Sequence, residues 1–299
     1  MTDAATKYRE MPANLVKEVT AIGRIIDPEK TAALYAPFAQ KPPYKNVKVA
    51  RDVKYGPAAL QALDVFSPEA ATGARPVLIF VHGGGYVAGD KCEPGKPFHD
   101  NIMLWAVKNG MVGVNINYRL APAAPWPAGA EDTGAAVGWV ADHIASYGGD
   151  PKRIFLMGHS AGAQHVASYI AHPQFQGAKG VAIAGAILVS GTYDLTRTET
   201  IEDRFKVYFG ADQSQYAERS SVTGLAKSNV PILLATGELN MPRHLTQYNV
   251  LKDALSSRKH SIFRAFIPPH HSHISEIYAI NTEDESLTGP MREFIESVS

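Results

Sequence analysis

A strand-like apolar run leads into the segment Gly158–Gly162, which reads GHSAG and fits a G-x-S-x-G pattern. In such a pattern the serine occupies a sharp strand-to-helix turn, and small residues two positions before and after it avoid a steric clash. The Ser160 hydroxyl would then be exposed beside a helix N-terminus, placed to act as a nucleophile. A serine that only caps a helix after a glycine turn is the competing interpretation. The strand–turn–helix context favours the nucleophile.

A second glycine-rich segment, HGGG at 82–85, follows the apolar run VLIFV at 77–81. Glycines there would let backbone N–H groups face a cavity and stabilise the oxyanion of a tetrahedral intermediate. A plain flexible loop and a dinucleotide-binding turn are the alternatives, since Gly83, Gly85 and Ala88 fit G-x-G-x-x-A. A dinucleotide site needs a helix within the turn and an acidic residue ending the next strand. The chain continues instead into GDKCEPGKP, and the next strand ends in NINY, so an oxyanion loop is favoured.

Three histidines follow the last apolar run, at His270, His271 and His273. A serine nucleophile needs a base, and in this chain order the histidine comes last. The spacing of the three histidines, in a loop led by two prolines, matches no zinc motif, and no carboxylate lies inside the cluster. We therefore expect one of them to be a general base, and we expect neither a metal nor a dissociable cofactor.

Several segments together resemble the hormone-sensitive-lipase-like carboxylesterases and the related arylformamidase-like hydrolases. They are HGGG, NYRLAP (117–122), GGDPKRI (148–154), GHSAG and SGTYDL (190–195), and the resemblance runs from about residue 45 to the C-terminus. It implies Ser160 as the nucleophile, His273 as the base with His271 second, and a structural role for Arg119. The implied oxyanion donors are the backbone N–H groups of Gly84, Gly85 and Ala161.

The expected acid is where the chain departs from the family pattern. The turn after the seventh predicted strand reads Gly237–Asn240, GELN, and the family aspartate falls at Asn240. Asn240 could orient His273 in a weakened triad, Glu238 in the same turn could substitute, or Asp194 could supply the carboxylate from after the sixth strand. For Asp194 a turn-capping role is the competing interpretation. A fourth alternative is a deliberate change at this position.

The remaining patterns predict an α/β-hydrolase fold with an eight-stranded, mostly parallel sheet and helices on both faces. Lys45–Tyr55 and Leu60–Phe66 alternate as an antiparallel hairpin. Continuous apolar runs at 77–81, 111–118, 153–158, 185–191, 231–237 and 261–267 suit strands buried on both faces. Segments 129–147, 161–172 and, in two pieces divided at Asp27–Pro28, 13–36 are helical. We expect one domain, 1–299, with 1–45 and about 195–229 as small cap or lid elements.

Composition narrows the function. The 29 basic and 29 acidic residues of the 299-residue chain balance, which gives no basic surface for nucleic acid. Cys92 is the only cysteine, so no disulfide within the chain is expected. The N-terminus lacks the apolar core of a signal peptide, and no apolar run could span a bilayer, so we expect a cytoplasmic protein. A homodimer is left open.

The leading hypothesis is hydrolysis of small carboxylic esters with short to medium acyl chains through an acyl-enzyme on Ser160. Amide or formamide hydrolysis of the arylformamidase kind is the second hypothesis, because it would use the same residues. A catalytically weak binding protein that retains the pocket is the third, and Asn240 is the feature that favours it.

Overall fold

One twisted sheet organises the chain. The computed structural model describes residues 7–70, 73–92, 95–177, 180, 183–198, 203–259 and 261–298. Eight strands lie in the order β1-β2-β4-β3-β5-β6-β7-β8. The strands are β1 (Val47–Lys54), β2 (Ala62–Pro68), β3 (Arg75–Val81), β4 (Val112–Ile116), β5 (Gly149–His159), β6 (Gly185–Val189), β7 (Ile232–Ala235) and β8 (Phe263–Phe266).

The strand pairing confirms the predicted sheet, which is mostly parallel with an antiparallel hairpin at its start. Strand β2 is antiparallel to both β1 and β4, and every other neighbouring pair is parallel. In the centre, Val77, Ile79 and Val81 of β3 pair with Val112, Val114 and Ile116 of β4. Parallel strands end at the same edge of the sheet, and in α/β folds ligands bind outside those carboxyl ends. The loops after β3, β5, β7 and β8 therefore meet there.

Helices cover both faces of the sheet. The helices are α1 (Ala13–Ile22), α2 (Pro28–Tyr35), α3 (Asp100–Lys108), α4 (Ala128–His143), α5 (Ala161–Ala171), α6 (Asp203–Phe209), α7 (Tyr216–Arg219), α8 (Val222–Lys227), α9 (Pro242–Ser256), α10 (Ser275–Tyr278) and α11 (Thr288–Val298). Apolar side chains of α4, α5, α8 and α9 form one core with one face of the sheet. Those of α3, α10 and α11 form a second core on the other face.

Burial of both faces of the sheet explains why polar and apolar residues do not alternate along its central strands. Side chains alternate between the faces of a strand, so Val77 and Ile79 enter the first core while Leu78 and Phe80 enter the second. All four are 0% exposed. A strand covered by helices on both sides is therefore a nearly continuous run of apolar residues. This property made the runs of β3 to β7 recognisable in the sequence. The run 261–267 was wrongly expected to be buried on both faces, because β8 lies at the edge of the sheet and is only partly buried, with Arg264 exposed.

The N-terminal helices form at the predicted places. The carboxylate of Asp27 accepts a hydrogen bond from the N–H of Lys30 at 3.0 Å, and Pro28 occupies the first turn of α2. Leu15 and Val19 of α1 pack with Tyr35 in a small cluster outside the two main cores. Within the described residues, none of the helices has the length and apolar character that crossing a membrane requires.

Candidate active site

Ser160 lies in the strained turn that its sequence pattern predicts. Strand β5 ends at His159 and α5 begins at Ala161, so Ser160 is the single residue between them. Its backbone has φ 55° and ψ −120°, a conformation that costs about 1–3 kcal/mol for a residue with a side chain. The N–H of Ser160 donates to the carbonyl of Val189 at 2.9 Å, which ties the turn to β6.

The glycines on either side of Ser160 are required by close packing. A Cβ at Gly158 would lie 2.5 Å from the carbonyl oxygen of Gly162, and a Cβ at Gly162 would lie 2.0 Å from that of Val81. Contacts below 3.0 Å with backbone cannot be relieved by a side-chain movement. The pattern G-x-S-x-G thus reflects how tightly α5 packs against the ends of β3 and β5.

The glycine loop after β3 passes directly beside Ser160. A Cβ at Gly83 would lie 3.2 Å from the Cβ of Ser160. Gly84 has φ 130° and Gly85 has φ 61°, values that glycine adopts readily. In the part of the chain that the structure describes, the N–H groups of Gly84, Gly85 and Ala161 have no backbone acceptor. The arrangement can present N–H donors to a developing negative charge near Ser160.

Helix α6 packs against this loop. The Tyr86 ring, directly after Gly85, stacks on Tyr208 with 4.6 Å between ring centroids. The Cδ of Arg204 lies 2.9 Å from where a Cβ of Gly85 would be. Residues 203–209, within the segment predicted as a cap, therefore help to hold the glycine loop. The predicted cap segment 195–229 also includes 199–202, and the segment 1–45 includes 1–6; both of these stretches lie outside the described residues.

His273 and Asn240 are in contact, as the sequence predicts. Nδ1 of His273 lies 3.1 Å from Oδ1 of Asn240, and both residues are buried. The amide orientation follows from its other partners. Oδ1 accepts from the N–H of Met241 at 2.9 Å, while Nδ2 donates to Oγ of Ser190 at 2.7 Å and to Oγ1 of Thr236 at 3.1 Å. Because Oδ1 only accepts, Nδ1 of His273 carries the proton and Nε2 keeps its lone pair.

The turn that carries Asn240 is clamped by the N-terminal segment. The guanidinium of Arg24 donates to the backbone carbonyls of Glu238 and Asn240 at 2.8 and 2.9 Å. The region between α1 and α2 therefore fixes the position of the Asn240 backbone. Nothing in the local sequence around Arg24 indicates this contact.

The alternative acids lie elsewhere. Glu238 is half-exposed and accepts from the backbone N–H of His270 at 2.8 Å. Asp194 accepts from the backbone N–H and the hydroxyl of Thr196, which is the turn-capping role considered as its alternative. Neither carboxylate has a contact with His273 among the described residues. Of the three acid candidates, the structure brings only Asn240 to that histidine.

His271, the second candidate for the base, is held in a different network. It is 1% exposed, and its Nε2 lies 2.9 Å from Oγ of Ser286 and 3.0 Å from Oδ2 of Asp284. Its Nδ1 lies 3.1 Å from Oγ of Ser275. His271 does not line the cavity that contains Ser160. Its contacts are those of a residue that holds the histidine loop in place.

Arg119 has the structural position that the resemblance implies. Its Nε lies 2.9 Å from Oδ1 of Asp132, and the backbone N–H of Arg119 donates to Oδ2 of the same carboxylate at 2.7 Å. Asp132 is fully buried in α4. The ion pair thus joins the segment after β4 to α4, and Arg119 does not line the cavity.

Ser160, His273 and the glycine loop all line one cavity of about 320 Å³. Its apolar lining includes Ile26 from the N-terminal segment, Phe205 from α6 and Ile277 from α10. Two guanidinium groups, Arg204 and Arg243, also line it, together with His159 and His244. The cavity is of a size suited to small molecules.

Burial and neighbouring cations keep His273 neutral. Burial is the largest cause of a pKa well below 6.5 for His273, followed by charge repulsion from His244, His159, Arg243 and Arg204. The His244 ring stacks on His273 with 4.3 Å between centroids. Burial lowers the pKa of His244 to about 3, with Arg243 the next cause. A neutral imidazole is the form that can accept a proton.

His159, His273 and Glu276 are the described residues whose geometry comes nearest to a metal site. One potential ligand atom from each lies within 4.8 Å of the others. Nε2 of His159 lies 2.8 Å from the backbone oxygen of His273, which can only accept, so this nitrogen carries a proton. A protonated nitrogen has no lone pair for a metal. The contact therefore favours a hydrogen-bonded network over a ligand set.

Sequence reasoning missed His159, His244 and Glu276. His159 is the first variable position of G-x-S-x-G, and Glu276 follows His273 by three residues. Their proximity to the predicted site residues was the only available signal. His244 lies on α9, and the sequence around it carries no motif that would have indicated the cavity.

Comparisons with known proteins agree with this architecture. The BD-FAE family profile matches residues 63–255. Esterase LipQ of Mycobacterium tuberculosis is 33% identical over 216 residues, which are 68% of this chain and 49% of LipQ. Carboxylesterase NlhH of the same species is 40% identical over 99 residues, 33% of this chain and 30% of NlhH. The chain thus matches about half or less of the length of these curated relatives.

Solved structures share the fold. Esterase B from Lactobacillus rhamnosis has a TM-score of 0.73 at 17% identity and covers 95% of each chain. An esterase from Pyrobaculum calidifontis has a TM-score of 0.70 at 20% identity, covering 97% of this chain and 99% of that one. The sheet order and the helices on both faces are those of the α/β-hydrolase fold. With the family profile matching well over half of its residues, the chain belongs to the BD-FAE family.

Proposed function

We propose that this protein is a serine hydrolase that cleaves small carboxylic esters through an acyl-enzyme on Ser160. The observation that carries the proposal is the 3.1 Å contact between Nδ1 of His273 and Oδ1 of Asn240, at a cavity that Ser160 also lines. The contact leaves Nε2 of His273 as the proton acceptor. The relatives LipQ and NlhH, an esterase and a carboxylesterase, support the same reaction class.

In the proposed mechanism, Oγ of Ser160 attacks the ester carbonyl carbon while its proton passes to Nε2 of His273. The carbonyl oxygen becomes negative and is stabilised by the N–H groups of Gly84, Gly85 and Ala161. The C–O bond to the alcohol then breaks, and the imidazolium returns its proton to the leaving oxygen. Water repeats the sequence on the acyl-enzyme, releasing the acid and restoring Ser160.

The cavity supports a small substrate. A volume of about 320 Å³ lies at the lower end of common ligand pockets and suits short to medium acyl chains. We assign the described parts of 1–45 and 195–229 as cap elements of one domain, because Ile26, Pro28, Arg204 and Phe205 from these segments line the cavity. A cytoplasmic location remains our prediction, because a chain with a single cysteine cannot form an internal disulfide and so suits a reducing compartment.

One observation favours a second candidate. An amide at Asn240 offers no negative charge to the imidazolium, and such a replacement lowers kcat by about 10⁴ in a chymotrypsin-type triad. A catalytically weak binding protein with an intact pocket would show this feature. Amide or formamide hydrolysis uses the same groups as ester hydrolysis, so a comparison of aryl formamides with aryl acetates separates these two reactions.

Active-site labelling tests the proposal. A fluorophosphonate should add one adduct mass to the protein, and Ser160→Ala should remove both labelling and hydrolysis of 4-nitrophenyl acetate. Ser168→Ala is the matched control, since Ser168 is a buried serine of α5 that does not line the cavity. Labelling that persists in Ser160→Ala would reject the nucleophile. Labelling without turnover would favour the binding protein.

A further inference from the structure

A fully buried carboxylate, Glu276, supports the turn that carries Asn240. Glu276 lies in α10, three residues after His273, and its side chain is 0% exposed. Its Oε2 accepts a hydrogen bond from the backbone N–H of Gly237 at 2.7 Å. The N–H of Asn240 in turn donates to the carbonyl of Gly237 at 3.1 Å. Glu276 therefore connects the histidine loop to the acid-position turn.

The other oxygen of Glu276 faces His159. Oε1 lies 3.3 Å from Nε2 of His159, the nitrogen that donates to the backbone oxygen of His273. Among the described residues, no donor forms a hydrogen bond of normal geometry with Oε1. A carboxylate oxygen of Glu276 also lies within 4.8 Å of a ring nitrogen of His273. The carboxylate is thus a close neighbour of both histidines.

Both oxygens of Glu276 face hydrogen-bond donors. The groups that approach its oxygens, the N–H of Gly237 and Nε2–H of His159, can only donate, so the carboxyl acts as an acceptor. A buried negative charge is unfavourable unless a positive charge lies near it. In the proposed reaction a positive charge forms on His273 when it takes the proton from Ser160.

We propose that Glu276 is a positioning residue. Its carboxylate lies against His159, which contacts the backbone of His273, and it provides near His273 the negative charge that the Asn240 amide lacks. The inference rests on the proposed serine mechanism. The other charged or titratable groups near His273 are His159, His244, Arg204 and Arg243, all of which oppose the imidazolium when they are protonated. The carboxylate of Glu276 offsets this repulsion when His273 is protonated. Through its hydrogen bond to Gly237, Glu276 also keeps the turn of Asn240 in a fixed position relative to the loop of His273.

A double-mutant cycle tests the charge. Coulomb's law at 4.8 Å and an effective dielectric constant of about 20 gives an attraction of about 3.5 kcal/mol, which corresponds to an effect on the order of a few hundred-fold before the cost of burying the charge is subtracted. We expect Glu276→Gln to lower kcat about 30- to 100-fold with KM nearly unchanged. In the Asn240→Asp background the same change should cost less than about fivefold, because the new carboxylate contacts His273 directly.

The pH dependence of kcat/KM provides a second test, because it would not change if Glu276 had only a structural role. A negative charge raises the pKa of His273, so Glu276→Gln should lower that pKa. The acidic limb of kcat/KM should then move to lower pH, because the neutral imidazole is the active form. Asp284→Asn is the control, since Asp284 is a buried carboxylate that contacts His271. It should reduce thermal stability and leave the pH profile of the folded enzyme unchanged.

The possible outcomes are separable. Equal losses of kcat in both backgrounds, or no loss at all, would overturn the role of Glu276. Hydrolysis that persists in Ser160→Ala would instead reject the proposed function on which it rests. If Glu276→Gln does not fold, Glu276→Asp in the two backgrounds makes the same comparison. Because it displaces the charge, we expect Glu276→Asp to cost about tenfold in kcat when Asn240 is present and almost nothing in the Asn240→Asp background.

Discussion

Replacing Asn240 with Asp exchanges one NH₂ group for an oxygen and places a negative charge 3.1 Å from Nδ1 of His273. The surroundings can accept the change. Oδ1 keeps the N–H of Met241 and Nδ1–H of His273 as donors. The hydroxyls of Ser190 and Thr236, which now accept from Nδ2, can rotate and donate to the second oxygen. The carboxylate would therefore be buried but fully hydrogen-bonded.

The expected gain follows from two opposing terms. At 3.1 Å and an effective dielectric constant of about 20, the attraction to an imidazolium is about 5 kcal/mol. Burying a carboxylate costs several kcal/mol, part of which the four donors restore. If Glu276 already supplies some of the charge, the remaining benefit is smaller still. We expect kcat to rise about 10- to 100-fold, which corresponds to about 1.4–2.7 kcal/mol off the barrier.

The assay is steady-state hydrolysis of 4-nitrophenyl acetate by the unsubstituted protein and by Asn240→Asp across pH. The added charge raises the pKa of His273, so the acidic limb of kcat/KM should move to higher pH while kcat increases. Glu238→Gln and Asp194→Asn are controls, and both should leave kcat unchanged. A flat rate in Asn240→Asp together with loss of activity in either control would show that the acid comes from elsewhere.

Three further outcomes are expected. Gly162→Ala should reduce the free energy of unfolding by more than about 3 kcal/mol and abolish activity, because the new Cβ would lie 2.0 Å from the carbonyl oxygen of Val81; a denaturant titration that shows natural stability would contradict this. Arg243→Gln removes a cation that lowers the pKa of His273, so the acidic limb of kcat/KM should move to higher pH, and an unmoved limb would argue against the repulsion. His273→Ala should remove nearly all turnover of folded protein, whereas His271→Ala should mainly lower the thermal midpoint; the reverse ranking in kcat would make His271 the base.

The sequence alone was sufficient for the features that depend on short-range order. Strands buried on both faces are nearly continuous in apolar residues, so the runs that became β3 to β7 could be recognised without neighbours. Gly158 is set by the geometry of one turn, and the pattern G-x-S-x-G also marked Gly162, although the contact that excludes a side chain there comes from Val81 of β3. The position of Asn240 after β7 followed from the family pattern, and its contact with His273 was predicted from that position.

Contacts between distant segments were decided only by the folded chain. His159 and His273 lie 114 positions apart, and no local pattern indicates that one supports the backbone of the other. Arg24 reaches the turn of Asn240 across 216 positions. The choice among Asn240, Glu238 and Asp194 also depended on which side chain the packed loops direct toward His273. The amide orientation depended on donors and acceptors from Met241, Ser190 and Thr236, which the sheet brings together. A local pattern determines which residue types can carry out the chemistry, but only packing over long separations determines which of them meet.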